Sequence, residues 1–245
     1  MLRWFLILCA MLLAGAAAAQ PADGSRDRPL RVVLIPADGG TEDGTRADYQ
    51  PIFGAVSRMT GLQFDIKVGQ SYGAVVEALC NGAADIAFVG PVTYIQANQR
   101  HCAELLAVGV EKGQSIYYSG IFTKASSSIR TLKDLKGKRV AFGDVNSTSS
   151  FVFPMTMIME AGLDPVRDLA AIRLTGSHAN SLAALVQGQV DAAALSFDSY
   201  DKAIAQGAVD PRTIRVVARS IPRKSLRRTA STAAGPIRSA MPRLV

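Results

Sequence analysis

Val140-Ala-Phe-Gly-Asp-Val-Asn-Ser-Thr-Ser-Ser-Phe-Val-Phe-Pro154 is the stretch on which the reading turns. Val140 to Phe142 closes an apolar, β-branched strand, and Gly143-Asp144 supplies a turn. Four consecutive hydroxyl residues, Ser147 to Ser150, then stand at the mouth of a helix that runs from Phe151 to Gly162. A helix N-terminus leaves backbone N–H groups unpaired and carries a partial positive charge, so it attracts anions. Small hydroxyl side chains add donors at the same point, and a tetrahedral oxyanion has oxygens enough to accept them without any lysine or arginine. Serine and threonine also cap helices that bind nothing, and spacing alone leaves both readings open. Asp144 would repel an anion and is read as shaping the turn. The glycine and lysine spacing of a Walker loop is absent, and so is the Gly-x-Ser-x-Gly pattern of a nucleophile elbow.

Outward from this stretch, strands and helices alternate. Leu30 to Pro36 and Leu62 to Val68 read as strands, with Ala47 to Met59 a helix between them that Gly61 stops. Tyr72 to Cys80 is helical, Asp85 to Val89 a strand, Val92 to Gln99 a short helix. Ala103 to Val110 is expected as a strand, with helix left open by its leucine-rich start, and 115–124 as an extended segment. Leu132 to Gly137 is a short helix or turn. Beyond the central stretch come strand Leu169–Leu174, helix Asn180–Gly188, strand Val190–Leu195, helix Ser199–Gln206 and strand Ile214–Ala218. Such alternation calls for α/β layering with largely parallel sheets. The extended segment near Ser119 to Lys124 is where the chain is expected to cross between two lobes.

The 245 residues begin as an export signal would. Arg3 is a positive start, Trp4 to Leu13 an apolar run too short to span a bilayer, and Ala17-Ala18-Ala19 a small-residue cleavage site. Cys9 lacks the small residues that precede a lipidated cysteine. About 225 residues then remain, enough for one large domain or two small ones. Of the three cysteines only Cys80 and Cys102 survive processing. An oxidising compartment permits a disulfide between them, and each could equally be a buried small hydrophobe. The formal charge of +7 is concentrated at one end: 221–245 holds six basic residues and no acid, whereas 20–220 holds twenty of each sign. A neutral body does not support a nucleic-acid footprint.

Several motifs in register make the reading specific. Gly143 to Phe151 followed by Pro154 resembles the phosphonate-binding motif of the periplasmic phosphate/phosphite/phosphonate-binding proteins, the solute-binding components of ABC importers. Ser71 to Leu79, Asp85 to Pro91, Tyr117-Tyr118-Ser119, Leu132 to Gly137, Gly176 to Leu185 and Gly188 to Ala193 are similar to the same family, in the same order. The resemblance runs from about Leu30 to Arg219. It implies an α/β, two-lobed, type II periplasmic-binding-protein fold with an interlobe hinge: a first lobe over 20–118 and a second over 119–218, after a signal peptide over 1–19. It also implies ligand contacts. Ser147, Thr148 and Ser149 would hold the phosphoryl oxygens, and Tyr72 and Tyr117 would place aromatic hydroxyls around the ligand. His178 would be a further donor, and Asp198 would meet an amino group on the ligand. Taken alone, His178 reads as a surface or core histidine, Tyr72 as helix packing and Asp198 as an N-cap.

The implied function is capture of a small phosphorus oxyanion (phosphonate, phosphite or phosphate) in the periplasm by a monomer, for delivery to an inner-membrane permease. No cofactor and no metal is implied. The same fold also serves extracytoplasmic sensors. An enzyme acting on phosphate esters is disfavoured, because the chain has two histidines, His101 and His178, no metal-ligand cluster and no nucleophile with a base beside it. The resemblance stops near Ser220. The basic, unpatterned segment from Ile221 reads as an aberrant tail over 219–245, which a frameshift in the gene would produce. The expected consequences are a first lobe that lacks its closing elements and shows uncovered apolar surface, and a tail without packed structure.

Overall fold

The structure, a computed structural model, describes residues 21–37, 41–110 and 113–221. The expected signal peptide with its cleavage point near Ala19, and the basic segment from Pro222 onward, lie outside these residues. The described elements in chain order are β1 (Leu30–Leu34), α1 (Glu42–Thr60), β2 (Phe64–Val68), α2 (Tyr72–Cys80), β3 (Ile86–Phe88), α3 (Pro91–Gln99), β4 (Ser119–Lys124) and β5 (Arg139–Phe142). They continue with α4 (Phe153–Glu160), α5 (Pro165–Asp168), β6 (Ala171–Leu174), α6 (His178–Val186), β7 (Ala192–Ser196), α7 (Phe197–Ala205) and β8 (Ile214–Arg219).

Two sheets organise two lobes. The first lobe has three parallel strands in the order β2-β1-β3. β1 is its middle strand and is covered on both faces. Val32 and Leu34 pack with Ile66 against Tyr49 and Phe53 of α1, while Val33 and Ile35 pack against Tyr72, Val75 and Leu79 of α2. The second lobe has five strands in the order β6-β5-β7-β4-β8. β5 runs parallel to β6 and β7, and β4 runs antiparallel to both β7 and β8. The largely parallel expectation is thus met in the first sheet and modified in the second, where β4 enters against the direction of its neighbours. Every residue of β7 is buried. Ala193 and Leu195 face Leu182, Leu185 and Tyr200, and Ala192 and Ala194 face Val140, Phe142 and Ile158. Small alanines at these positions let helices approach both faces of the central strand.

Local capping explains where the helices begin. α1 starts five residues ahead of the expected Ala47, because the Thr41 side chain accepts from Gly44 N and Glu42 and Asp43 fill the positive first turn. Pro51 lies inside it. The helix expected from Phe151 instead begins as a π-helical turn, Thr148–Val152, and becomes α4 at Phe153. Such π-turns widen the helix and recur at functional sites.

The expected strand over Ala103–Val110 does not form: only an isolated bridge occurs at Glu104, and Leu105, Leu106, Val108 and Val110 are exposed. A strand needs a neighbouring ladder, and among the described residues the segment finds only this single bridge. Phe88 on β3, Ile95 on α3 and Ile116 are exposed in the same lobe. Cys80, the last residue of α2, and Cys102, just past α3, form a disulfide. Glu77 and Arg100 join the same two helices by a paired ion contact of 2.5 and 3.0 Å.

Candidate functional site: an interlobe cleft lined by helix N-termini

The helices of both lobes that follow parallel strands start at the C-terminal edges of those strands, where open α/β sheets place their ligands. Four of these starts share one device. Ser71 caps α2 by accepting from Ala74 N, Ser147 caps the π-turn by accepting from Ser150 N, Ser177 caps α6 by accepting from Asn180 N, and Ser196 caps α7 by accepting from Ser199 N. Each cap uses one hydroxyl oxygen and keeps the positive helix end at the cleft, while the first N–H groups of α2, α6 and α7 already donate to Asp144, Ala37 and Tyr118. Ser147 is therefore a cap, as the plainer reading of its sequence position has it.

Gly143 makes the hydroxyl run possible. A Cβ there would lie 2.2 Å from Ser150 Oγ and 2.9 Å from Ser150 Cβ, so only glycine lets the end of β5 pass so close to the following turn. Gly143 N in turn donates to Ser150 O at 3.1 Å. All four hydroxyl residues are buried. Ser119, the first residue of β4, donates from Oγ to Ser149 O at 2.6 Å and so fixes the turn from the neighbouring strand.

The structure brings Tyr117, Thr148 and Ser149 together, within range of the Asp198 charge. The Tyr117 phenol lies beside the Thr148 and Ser149 hydroxyls and feels the charge of Asp198. Burial pushes its phenol above the ordinary tyrosine value; the two hydroxyl contacts pull the other way and the Asp198 carboxylate adds to the rise. Tyr117 consequently stays a neutral donor at physiological pH. Thr148 Oγ1 accepts from Val92 N, at the start of α3 in the first lobe, at 2.9 Å, which leaves its own O–H as a donor. Gly90 abuts the pair: a Cβ there would stand 3.6 Å from Thr148 Oγ1 and 3.8 Å from Tyr117 Oη.

His178 opens α6 and is 4% exposed. Its Nδ1 accepts from Ser196 N at 3.0 Å, so in the neutral ring the proton sits on Nε2, a donor. Its own N–H donates to Ala37 O of the first lobe at 3.1 Å. Asp198 is exposed in the first turn of α7, two residues after the Ser196 cap rather than serving as the cap itself. Tyr72 is 1% exposed and its ring belongs to the apolar cluster of the first lobe; what it presents to the second lobe is its backbone N–H, which donates to Asp144 Oδ2 at 3.1 Å. A cavity of about 300 Å³ also lies between the lobes, with Pro36, Thr41 and Gln70 on one side and Thr175, Ser177 and Asn180 on the other. Its walls adjoin the His178 helix but not the Tyr117 cluster. Sequence reading missed Ser119, Val92, Thr93, Gln96 and Asn146 as cleft residues; only the Gly90-Pro91 helix start signalled that α3 faces the second lobe.

Two α/β lobes joined across a cleft, with helix N-termini and buried hydroxyls turned inward, define a type II periplasmic binding protein. The chain belongs to the periplasmic substrate-binding proteins of phosphonate ABC transporters, whose family model matches residues 40–227. It is 29% identical over 229 residues to the phosphate-import protein PhnD of Mycolicibacterium smegmatis, covering 86% of this chain and 70% of that one. Among solved structures, a binding protein component of an ABC phosphonate transporter from Pseudomonas aeruginosa is similar with TM-score 0.68 and 21% identity, over 78% of this chain and 65% of that one. PhnD1 from Prochlorococcus marinus in complex with methylphosphonate is similar with TM-score 0.67 and 19% identity, over 78% and 72%. The chain thus spans roughly two thirds of the length of each of these three relatives.

Proposed function

We propose that this chain captures a small tetrahedral phosphorus oxyanion in the interlobe cleft and delivers it to an ABC permease. The observation that carries the proposal is the convergence of the Tyr117, Thr148 and Ser149 hydroxyls at the start of a helix. Each hydroxyl can donate once. The π-turn adds first-turn N–H groups, and His178 adds Nε2–H. In this reading Ser147, Thr148, Ser149, Tyr117 and His178 surround the phosphoryl oxygens, and Tyr72 closes the first-lobe side. Asp198 places a negative charge beside Tyr117, which favours a ligand with a cationic substituent, such as an aminophosphonate, over inorganic phosphate. Charge neutralisation comes from helix ends and hydroxyl donors, as a neutral protein body requires. The proposal includes cleavage of residues 1–19 on export and action as a monomer in the periplasm.

Calorimetry on the mature protein against phosphate, phosphite, methylphosphonate and 2-aminoethylphosphonate tests the ligand class. Thr148→Ala removes a donor to a charged acceptor, worth about 1.5–3 kcal/mol. The expected result is affinity weaker by about tenfold to a hundredfold. Unchanged affinity in the folded variant would reduce the hydroxyl run to helix capping. Asp198→Asn should weaken the aminophosphonate selectively and leave methylphosphonate unaffected; equal effects on both would remove Asp198 from ligand selection. Vesicles carrying the cognate permease and ATPase should import the ligand only when the binding protein is added, and import without it would point to sensing in place of transport.

A further inference from the structure

Several contacts join the lobes, and one turn of the second lobe makes three of them. Asp144 Oδ2 accepts from Tyr72 N at 3.1 Å. The Asn146 carbonyl accepts from Thr93 Oγ1 at 3.2 Å, and Asn146 Oδ1 accepts from Gln96 Nε2 at 2.9 Å. Tyr72 begins α2, whereas Thr93 and Gln96 lie on α3, so the turn reaches both helices of the first lobe that point into the cleft. It is braced from behind. Asp144 Oδ1 accepts from Asn146 N at 2.8 Å, and Asp144 O accepts from Ser147 N at 2.9 Å. One carboxylate thereby holds the turn with one oxygen and the opposite lobe with the other. Thr93 is fully buried, and Gly73 brings the first turn of α2 so near that a Cβ there would stand 3.4 Å from Asn146 Nδ2. Asn146 therefore sits half-buried in a tight seam.

We propose that Asn146 is a positioning residue for ligand capture: it holds the closed relation of the two lobes through Gln96 and Thr93 without touching the anion itself. The proposal rests on the oxyanion reading of the cleft. Its physical basis is that hydrogen bonds present in the closed form and exchanged for water in the open form shift the open–closed equilibrium by their net worth. Thr148 and Tyr117, by contrast, contribute through the ligand. Loss of Asn146 contacts should then act on release more than on encounter, since closure follows binding and slows escape.

The test combines stopped-flow binding of inorganic phosphate and of methylphosphonate with a ligand-free measurement of lobe separation by fluorescence energy transfer. The proteins are wild type, Asn146→Ala, Gln96→Ala and the double variant. The expected koff rises by about tenfold in each single variant while kon stays within about twofold. The double variant should add little to either, because both changes break the same hydrogen bond. In ligand-free protein, Asn146→Ala and Gln96→Ala should both shift the lobes toward wider separation. A lobe distribution like that of the wild type in both variants overturns the proposal. So does weaker binding in Asn146→Ala with unaltered Gln96→Ala, because Asn146 would then be a direct ligand contact. Gln96 is half-buried on a helix face, so its variant decides the matter if Asn146→Ala does not fold. Failure of the wild type to bind either probe would remove the oxyanion reading, and the ligand-free separation would still decide the role of Asn146.

Discussion

The two lobes solve the same architectural problem with different resources. In the second lobe, β7 is buried along its whole length between two helical layers, and Phe122 packs tightly at 5.2 Å from Phe197 and 4.7 Å from Tyr200. The hydroxyl turn rests on that layer, so its donors are fixed before any ligand arrives. In the first lobe, three strands support three helices, and Leu105, Leu106, Val108 and Val110 remain exposed along an extended segment. There the ends of α2 and α3 are tied covalently through Cys80 and Cys102. The difference teaches where precision comes from. The second lobe orients its site by packing, and the first lobe holds its two cleft-facing helices in register with a crosslink.

The largest expected effect contrasts the two regions directly. Phe122→Ala should cost about 3–5 kcal/mol, because it opens a cavity in the fully buried layer beneath the site. Val108→Ala, at an exposed position of the first lobe, should stay within about 0.5 kcal/mol. Urea unfolding monitored by circular dichroism checks both, and comparable losses would mean that the exposed segment is packed in solution.

A smaller effect should fall on the first lobe alone. Replacing both Cys80 and Cys102 by serine releases a loop of 22 residues, and loop-closure entropy puts the loss near about 3 kcal/mol. Hydrogen exchange should show faster opening of α2 and α3 and unchanged protection of β7. Uniform loss across both lobes would break the contrast drawn here, because the crosslink would then support the whole molecule.

The smallest effect sharpens the contrast at the site. Burial raises the Tyr117 pKa in the folded state above its ordinary 10.0. The neutral phenol is favoured by folding, so its contribution is complete below the unfolded value and is lost as pH rises through the folded one. Stability of the wild type should fall above about pH 10 more steeply than that of Tyr117→Phe. Parallel alkaline curves would place Tyr117 in contact with solvent.

Much of this was legible in the residues because it depends on local chemistry. The β5 strand, the Gly143-Asp144 turn and the hydroxyl helix start follow from short-range patterning, whereas α6, expected from Asn180, starts two residues earlier at His178 behind the Ser177 cap. Elements failed to match where a distant partner decides the outcome. Ala103–Val110 has strand composition yet no ladder beside it. β4 reads as extended, but its antiparallel fit between β7 and β8 depends on residues some seventy and ninety positions away. The partners of Thr148 and Asn146, namely Val92, Thr93 and Gln96, sit on a helix whose sequence marks its start at Gly90-Pro91 but not which residues reach across.

By itself, then, the sequence determined the alternation of strands and helices, the anion-compatible chemistry of the Ser147–Ser150 turn and the family to which the chain belongs, since each is written in contiguous residues and their order. Only the tertiary structure decided that Tyr117 meets Thr148 and Ser149, that the His178 Nδ1 accepts from Ser196 N, that Tyr72 faces the apolar core and that Cys80 bonds to Cys102. These depend on which surfaces the two sheets bring together across the cleft, and distances between residues far apart in the chain are set by packing, which no local pattern encodes.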